Sequence, residues 1–150
     1  MDPVTIANEA TLIYDNITKN SNAVVTRILS LYDLTATKEA LLDSYTPGQT
    51  ITYITRVENT GSASLYNLTI VDDLANGTLQ YIDTSIEGYL NGSPIEIDVQ
   101  KTANTVTFKI DNVLNPNDNV LIIFETTTPT TNPEQITNTQ TITANGGSTT

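Results

Sequence analysis

The sequence predicts an all-β protein, a β-sandwich preceded by an N-terminal strand arm. Three observations carry that expectation. The chain is rich in Thr, Val, Ile and Asn, and its seven Tyr outnumber its two Phe, a composition suited to pleated, half-buried surfaces joined by turns. Apolar residues alternate with polar ones over short runs, while helical periodicity is nearly absent. Turn dipeptides and tetrapeptides punctuate those runs at regular intervals, as in a sandwich. At 150 residues the chain suits one domain with a small extra element, and a chain of this length buries roughly two thirds of its unfolded surface. The expected division is an arm over residues 1–30 and a sandwich over 31–150.

The arm holds two strand-like runs, Ile6 to Tyr14 and Ser21 to Ile28. The first echoes Ile136 to Ala144 near the other end, with Ile-x-Asn at the same phase in both. The arm therefore reads as a surplus closing strand pair, and the C-terminal end as one strand short. Ala36 to Ser44 offers at most a short, poorly capped turn of helix. Thr46-Pro47-Gly48-Gln49 is a turn, because Pro presets φ and Gly accepts a positive φ. It leads into Thr50 to Asn59, where Ile51, Tyr53 and Val57 alternate with Thr52, Arg56 and Glu58. After a turn at Asn59 to Ser62, Leu65 to Val71 returns with Leu68 and Ile70 on one face. Asn76-Gly77 and Asn91-Gly92 are hairpin signals. Further strands are expected at Leu79 to Ile82, Ile95 to Val99, Thr105 to Ile110 and Val120 to Thr126, with Asn115-Pro-Asn-Asp118 turning the chain between the last two. Thr126 to Pro133 reads as an extended loop or edge strand.

The residues that are missing exclude whole classes of function. With no His and no Cys, a Ser-His or Cys-His nucleophile, a structural zinc and a thiol redox centre all drop out. No disulfide can brace the fold, so packing or another crosslink must. A formal charge of −11 argues against nucleic acid and anionic membrane as partners. The sequence shows neither a membrane-spanning apolar run nor a signal peptide, so insertion into a membrane is not expected. Either the chain is an excised mature piece or it reaches its destination outside the secretory route. Asp111, Asn112, Asn115, Asn117 and Asp118 supply oxygen ligands, but their spacing is not that of an EF-hand and fits an ordinary turn. No metal, cofactor or enzymatic activity is expected.

Three stretches together carry a resemblance: Tyr45-Thr-Pro-Gly-Gln-Thr-Ile-Thr-Tyr53, Val57-Glu-Asn-Thr-Gly61 and Tyr66-Asn-Leu-Thr-Ile-Val-Asp72. They resemble the bacterial surface repeat known as domain of unknown function 11. Leu114 to Val120 is similar to its later turn, and Ile136-Thr-Asn-Thr139 to its closing strand, so the likeness covers about Leu31 to Ala144. The resemblance implies an immunoglobulin-like β-sandwich, used in tandem on cell surfaces or in spore-coat and appendage proteins. The chain departs from the pattern in two places. Leu74-Ala75 replaces Leu-Pro, and the closing Asn-Thr-Ala is Asn138-Thr-Gln140, whereas Asn8-Glu-Ala10 in the arm keeps the Ala.

Two constellations follow. In the first, the arm is a donor strand that completes a neighbouring subunit's sheet through backbone hydrogen bonds and alternate side chains, with Ile6, Asn8, Ala10, Leu12, Val24 and Val25 at the subunit interface. The competing reading is an arm that belongs to an adjacent repeat. The second is an isopeptide bond. Gram-positive adhesin domains of similar architecture join a first-strand Lys to a last-strand Asn beside a buried acid. Here Lys38 shares a face with Leu34 and Ala36, Asn138 with Ile136 and Ile142, and Asp72 with Leu68 and Ile70. Asn8 is the alternative partner, which would link subunits. The competing reading is a solvated Lys38, an Asn138 paired with backbone and an Asp72 capping a turn, and the rarity of buried lysine favours it.

The function expected is a structural subunit of an extracellular or spore-surface fibre that polymerises with itself. The alternative is a single stalk or adhesin repeat that binds a surface or glycan ligand, although no Trp or clustered Tyr supplies an aromatic platform.

Overall fold

A computed structural model of the chain describes residues 4–8, 10–14, 17–22, 24–28, 31–131, 135–145 and 147–149. Contacts divide the chain into two units, Met1–Leu31 and Tyr32–Thr150.

The first unit is a hairpin closed on itself. Strand β1 (Val4–Asn8) pairs antiparallel with β4 (Val24–Ile28), and β2 (Thr11–Tyr14) with β3 (Ile17–Asn20). The register slips by one residue between the two ladders, since Asn8 faces Val24 but Thr11 faces Asn20. Ala10 and Ser21 bridge the slip: the Ser21 N–H donates to the Ala10 carbonyl at 2.8 Å, and the Ala10 N–H to Ser21 Oγ at 3.0 Å.

The second unit is a sandwich of two antiparallel sheets. The first sheet runs β10 (Ser93–Ile95), β9 (Glu87–Leu90), β13 (Asn119–Thr127), β6 (Thr50–Glu58) and β5 (Thr35–Ala40), with β8 (Gln80–Tyr81) also on β13. The second runs β11 (Asp98–Lys101), β12 (Val106–Ile110), β7 (Tyr66–Asp72), β14 (Gln140–Asn145) and β15 (Gly147–Thr149). The alternation in the sequence becomes the two inner faces: Ile51, Tyr53, Thr55 and Val57 point inward from β6, and Leu68, Ile70 and Asp72 from β7. Phe108 and Phe124 meet across the layers with ring centroids 5.0 Å apart, and Tyr53 stacks on Phe124 at 5.4 Å. Such ring pairs add about 0.5–1.5 kcal/mol each to the apolar burial.

Three local expectations are revised. Ala36 to Ala40 is strand, not helix, because β5 forms the edge of the first sheet along β6. Ile95 to Val99 is not one strand, since β10 and β11 lie in different sheets with Glu96-Ile97 as the crossing. Asn91-Gly92 does turn a hairpin, with both residues at positive φ (49° and 81°) between β9 and β10. Asn76-Gly77 does not. It belongs to Leu74–Gly77, the one helical segment among the described residues, where φ is 47°, 51°, 56° and 81° in succession. A left-handed turn costs about 1–2 kcal/mol for each residue that carries a Cβ. The surroundings hold it there: Leu74, Ala75 and Leu79 are buried, and the Leu79 N–H bonds the Leu74 carbonyl at 2.9 Å.

Candidate crosslinking site

Lys38 projects from the middle of the edge strand β5 toward the second sheet. Its Nζ lies 2.7 Å from Asp72 Oδ2, donates to the Asn138 backbone carbonyl at 3.2 Å and sits 4.6 Å from the centroid of the Tyr53 ring. The side chain keeps only 15% of its exposure and Asp72 keeps none. Burial pushes the lysine amine below its ordinary value, and the Asp72 carboxylate beside it offsets part of that shift.

Asp72 ends β7, with its side chain on the inner face of the sheet as the alternation from Leu68 and Ile70 requires. Oδ1 accepts the Leu74 N–H at 2.9 Å; Oδ2 accepts Gln140 Nε2 at 3.0 Å besides the lysine. Gln140 Oε1 in turn accepts the buried Thr55 hydroxyl at 2.9 Å. The carboxylate is therefore fixed in orientation from three sides.

Asn138 lies two residues before the first residue of β14, in a stretch (135–139) with no assigned strand. Its Oδ1 accepts the Ala75 N–H at 3.3 Å. Its Nδ2 is buried and has no hydrogen-bond partner among the described residues, a defect that costs about 1–3 kcal/mol. Burial raises the Tyr53 phenol pKa and the nearby Asn138 amide opposes the rise, but the approach falls short of hydrogen-bond geometry and leaves Nδ2 unpaired. An open groove of about 630 Å3, bordered by Ala40, Leu42, Tyr45, Ile136 and Asn138, reaches Lys38 from outside.

The structure thus brings together Lys38, Asp72 and Asn138, residues 34 and 100 apart in sequence from the lysine. Tyr53, Gln140, Ala75 and Asp73, which sequence reasoning did not place here, complete the surroundings. Gln140 carried a signal, as the residue standing where the repeat pattern has Ala. The other sequence candidates are placed differently. Ile6 and Asn8 lie on β1, Leu12 on β2, and Val24 and Val25 on β4, but their side chains fall outside the described residues; Ala10 is exposed between β1 and β2. Asp118 is committed to turns, accepting the Asn115 N–H at 2.7 Å and the Asn91 amide at 2.7 Å. Among the described residues no three acidic side chains gather as metal ligands, and no helix is long and apolar enough to cross a membrane.

No family model and no curated protein sequence matches the chain. Solved structures do. The chain is similar to the major pilin subunit BcpA of Bacillus cereus at 12% identity and a TM-score of 0.59, over 91% of this chain and 42% of that one. It is similar to the full-length RrgB pilus protein of Streptococcus pneumoniae at 11% identity and a TM-score of 0.58, over 93% and 28%. The N-terminal domain of a Streptococcus gordonii adhesin gives 18% identity and a TM-score of 0.60, over 87% and 35%. The chain spans less than half the length of each of these structures. What it shares with them is the fold, an all-β, immunoglobulin-like sandwich.

Proposed function

We propose that the chain is a structural subunit of a surface fibre, and that its sandwich is stapled by an isopeptide bond between Lys38 and Asn138. The observation that carries this reading is the Lys38–Asp72–Asn138 group, with Asp72 buried and the other two half-buried, which bridges β5, the first strand of the sandwich, and the segment just before β14. Similarity of fold to pilin and adhesin domains supports it, as does the likeness to a bacterial surface repeat. A chain without Cys has no disulfide brace, so packing or another crosslink must hold it.

The chemistry balances without any co-reactant. Lys38 Nζ gives a proton to Asp72 Oδ2, and the freed lone pair attacks Asn138 Cγ. The carbonyl π pair moves onto Oδ1. Asp72 then protonates Nδ2 and takes up the second Nζ proton, the tetrahedral carbon collapses, and ammonia leaves through the groove with that proton, as ammonium, while a secondary amide forms. Desolvation favours the neutral amine that attack requires. The product also removes the orphan amide donor and the buried cation.

The arm supplies the joint between subunits. A two-stranded hairpin is marginal in water by itself, which supports its docking on a neighbour's sheet edge by β-addition. Ile6, Asn8, Ala10, Leu12, Val24 and Val25 are the proposed interface, with the cell or spore surface as the location and the chain itself as partner. A stalk or adhesin repeat is the second reading, favoured by the groove beside Lys38.

Intact mass under denaturing conditions tests the staple. The expected mass is one ammonia below the sequence mass, with a branched peptide joining the Lys38 and Asn138 segments after digestion; an unmodified mass overturns the bond. Negative-stain microscopy tests the fibre. Filaments from the full chain that vanish on removal of residues 1–30 are expected, and monomers from both would leave the repeat reading.

A further inference from the structure

Asp73 neighbours the reacting group without belonging to it, caps the left-handed turn and continues the β7–β14 register by one residue. Its N–H donates to the Thr139 carbonyl at 3.1 Å, its Oδ1 accepts the Thr139 N–H at 3.1 Å, and its Oδ2 accepts the Thr139 hydroxyl at 2.5 Å. Residues 135–139 have no ladder to hold them, because β14 begins at Gln140. Three bonds from one residue therefore fix the backbone immediately after Asn138. Asp73 Oδ1 also accepts the Ala75 N–H at 2.9 Å, which draws the left-handed turn against the same segment. That N–H is shared with Asn138 Oδ1. The hydrogen bonds to Thr139 and Ala75 help hold the Asp73 carboxyl below its ordinary value, although burial opposes them, so it stays an acceptor at neutral pH.

We infer that Asp73 is a positioning residue for the crosslink: it clamps Thr139 so that the Asn138 carboxamide meets Lys38 Nζ, and it sets the left-handed turn whose Ala75 N–H receives the charge on Oδ1. This rests on the isopeptide reading above. In the attack step the carbonyl π pair becomes the Oδ1 oxyanion, and the Ala75 N–H, bonded more closely to Asp73 at 2.9 Å, also reaches that atom at 3.3 Å; on collapse the pair returns and ammonia departs. A backbone donor aimed at a developing oxyanion needs no reorganisation when the charge appears. The run of positive φ values through Leu74, Ala75 and Asn76 is then the conformation that turns this N–H toward Asn138, strain kept at a working site.

The test separates folding from chemistry. Full-length chain is synthesised in a cell-free system, held in urea and diluted into buffer. Tyr fluorescence reports folding, and intact mass reports loss of ammonia over time. For Asp73→Ala, folding should proceed at close to the wild-type rate while ammonia loss slows by about 10- to 100-fold, the usual penalty for a misplaced reacting group. Asp73→Asn, which keeps an acceptor for the Thr139 N–H, should recover most of the rate. Thr139→Val removes one bond of the clamp and gives a second reading if Asp73→Ala fails to fold; slowed ammonia loss is again expected. Wild-type rates of ammonia loss in a folded Asp73→Ala or Thr139→Val chain overturn the clamp and leave the isopeptide bond standing. A wild-type chain that never loses ammonia overturns both.

Discussion

Replacing Asn138 by Ala isolates the staple, because it removes the electrophile and leaves the Lys38–Asp72 pair in place at 2.7 Å. The bond would close a loop of about 100 residues, for which the chain-entropy model assigns about 4.7 kcal/mol of stabilisation by constraint of the unfolded state. Loss of the hydrogen bond from Ala75 to Asn138 Oδ1 adds about 1 kcal/mol. Asn138→Ala should therefore cost about 5–6 kcal/mol. For a sandwich of this size each kcal/mol moves the melting temperature by roughly 3–5 °C, which gives a fall of about 15–30 °C. Differential scanning calorimetry on samples whose intact mass has been checked is the assay. A wild-type sample lighter by one ammonia yet melting within about 5 °C of Asn138→Ala would refute the entropic reasoning, since the chain-entropy model assigns a closed loop of that size several kcal/mol.

Other perturbations follow from the same geometry. Lys38→Met also prevents the bond but strands a fully buried Asp72 without its cation, so it should melt below Asn138→Ala, with about 3–5 kcal/mol of further loss. The pH dependence has a definite sign. In Asn138→Ala the lysine remains titratable and its folded pKa lies below the ordinary 10.5. Between those two values the unfolded chain binds more protons, so stability rises with pH through that window. The stapled wild type carries no such amine, and the difference between the two melting temperatures should narrow as pH climbs through that window toward 10.5; a constant difference counts against a buried amine. Taking the difference cancels Tyr81, whose raised pKa acts in the opposite direction. Finally, Asn59→Ala deletes a buried side chain that donates to the Ala63 and Leu114 carbonyls and accepts from the Gly61 N–H. It should lower the urea midpoint by an amount equivalent to about 2–4 kcal/mol, while ammonia loss still goes to completion.

The long strands were legible because burial on one face writes itself as period-two alternation, and β6, β7, β12 and β13 all show it. Strand β9 was not, because Glu87-Gly88-Tyr89-Leu90 lacks that alternation. Its reason is tertiary: a β-carbon at Gly88 would overlap the Ile97 side chain, so the glycine makes room for the segment that crosses between sheets. That same crossing divides Ile95 to Val99, whose even alternation reads as one strand. The helix formers in Ala36 to Ser44 mislead because pairing along β6 overrides a weak local preference. At the site, parity alone puts Lys38, Asp72 and Asn138 on inward faces, but the distance between them depends on how the edge strand of one sheet lies over the end of β7 in the other. The roles of Asp73 and Ala75 were out of reach, since both follow from a left-handed turn that Leu74-Ala75-Asn76 gives no sequence reason to adopt.

That turn links the site to the mechanical demand that the proposed fibre role would make. Tension applied through the ends of the sandwich enters at β5, the edge strand of one sheet, and leaves through the β14–β15 hairpin at the edge of the other. Without a covalent bridge, it would peel β5 from β6 one ladder bond at a time. A bond from Lys38 to Asn138 would carry the load from one strand directly to the other and bypass every residue between them. The chemistry that makes such a bond needs a desolvated amine, an oriented acid and a held carboxamide, and each is costly in an ordinary core. Buried lysine, a left-handed turn and an orphan amide are three separate defects for a fold whose only task is to be stable. They converge within one hydrogen-bonded group, and a single loss of ammonia removes the buried cation and the orphan donor together. Under a crosslink the strain has a use; under a purely structural reading each defect needs its own explanation.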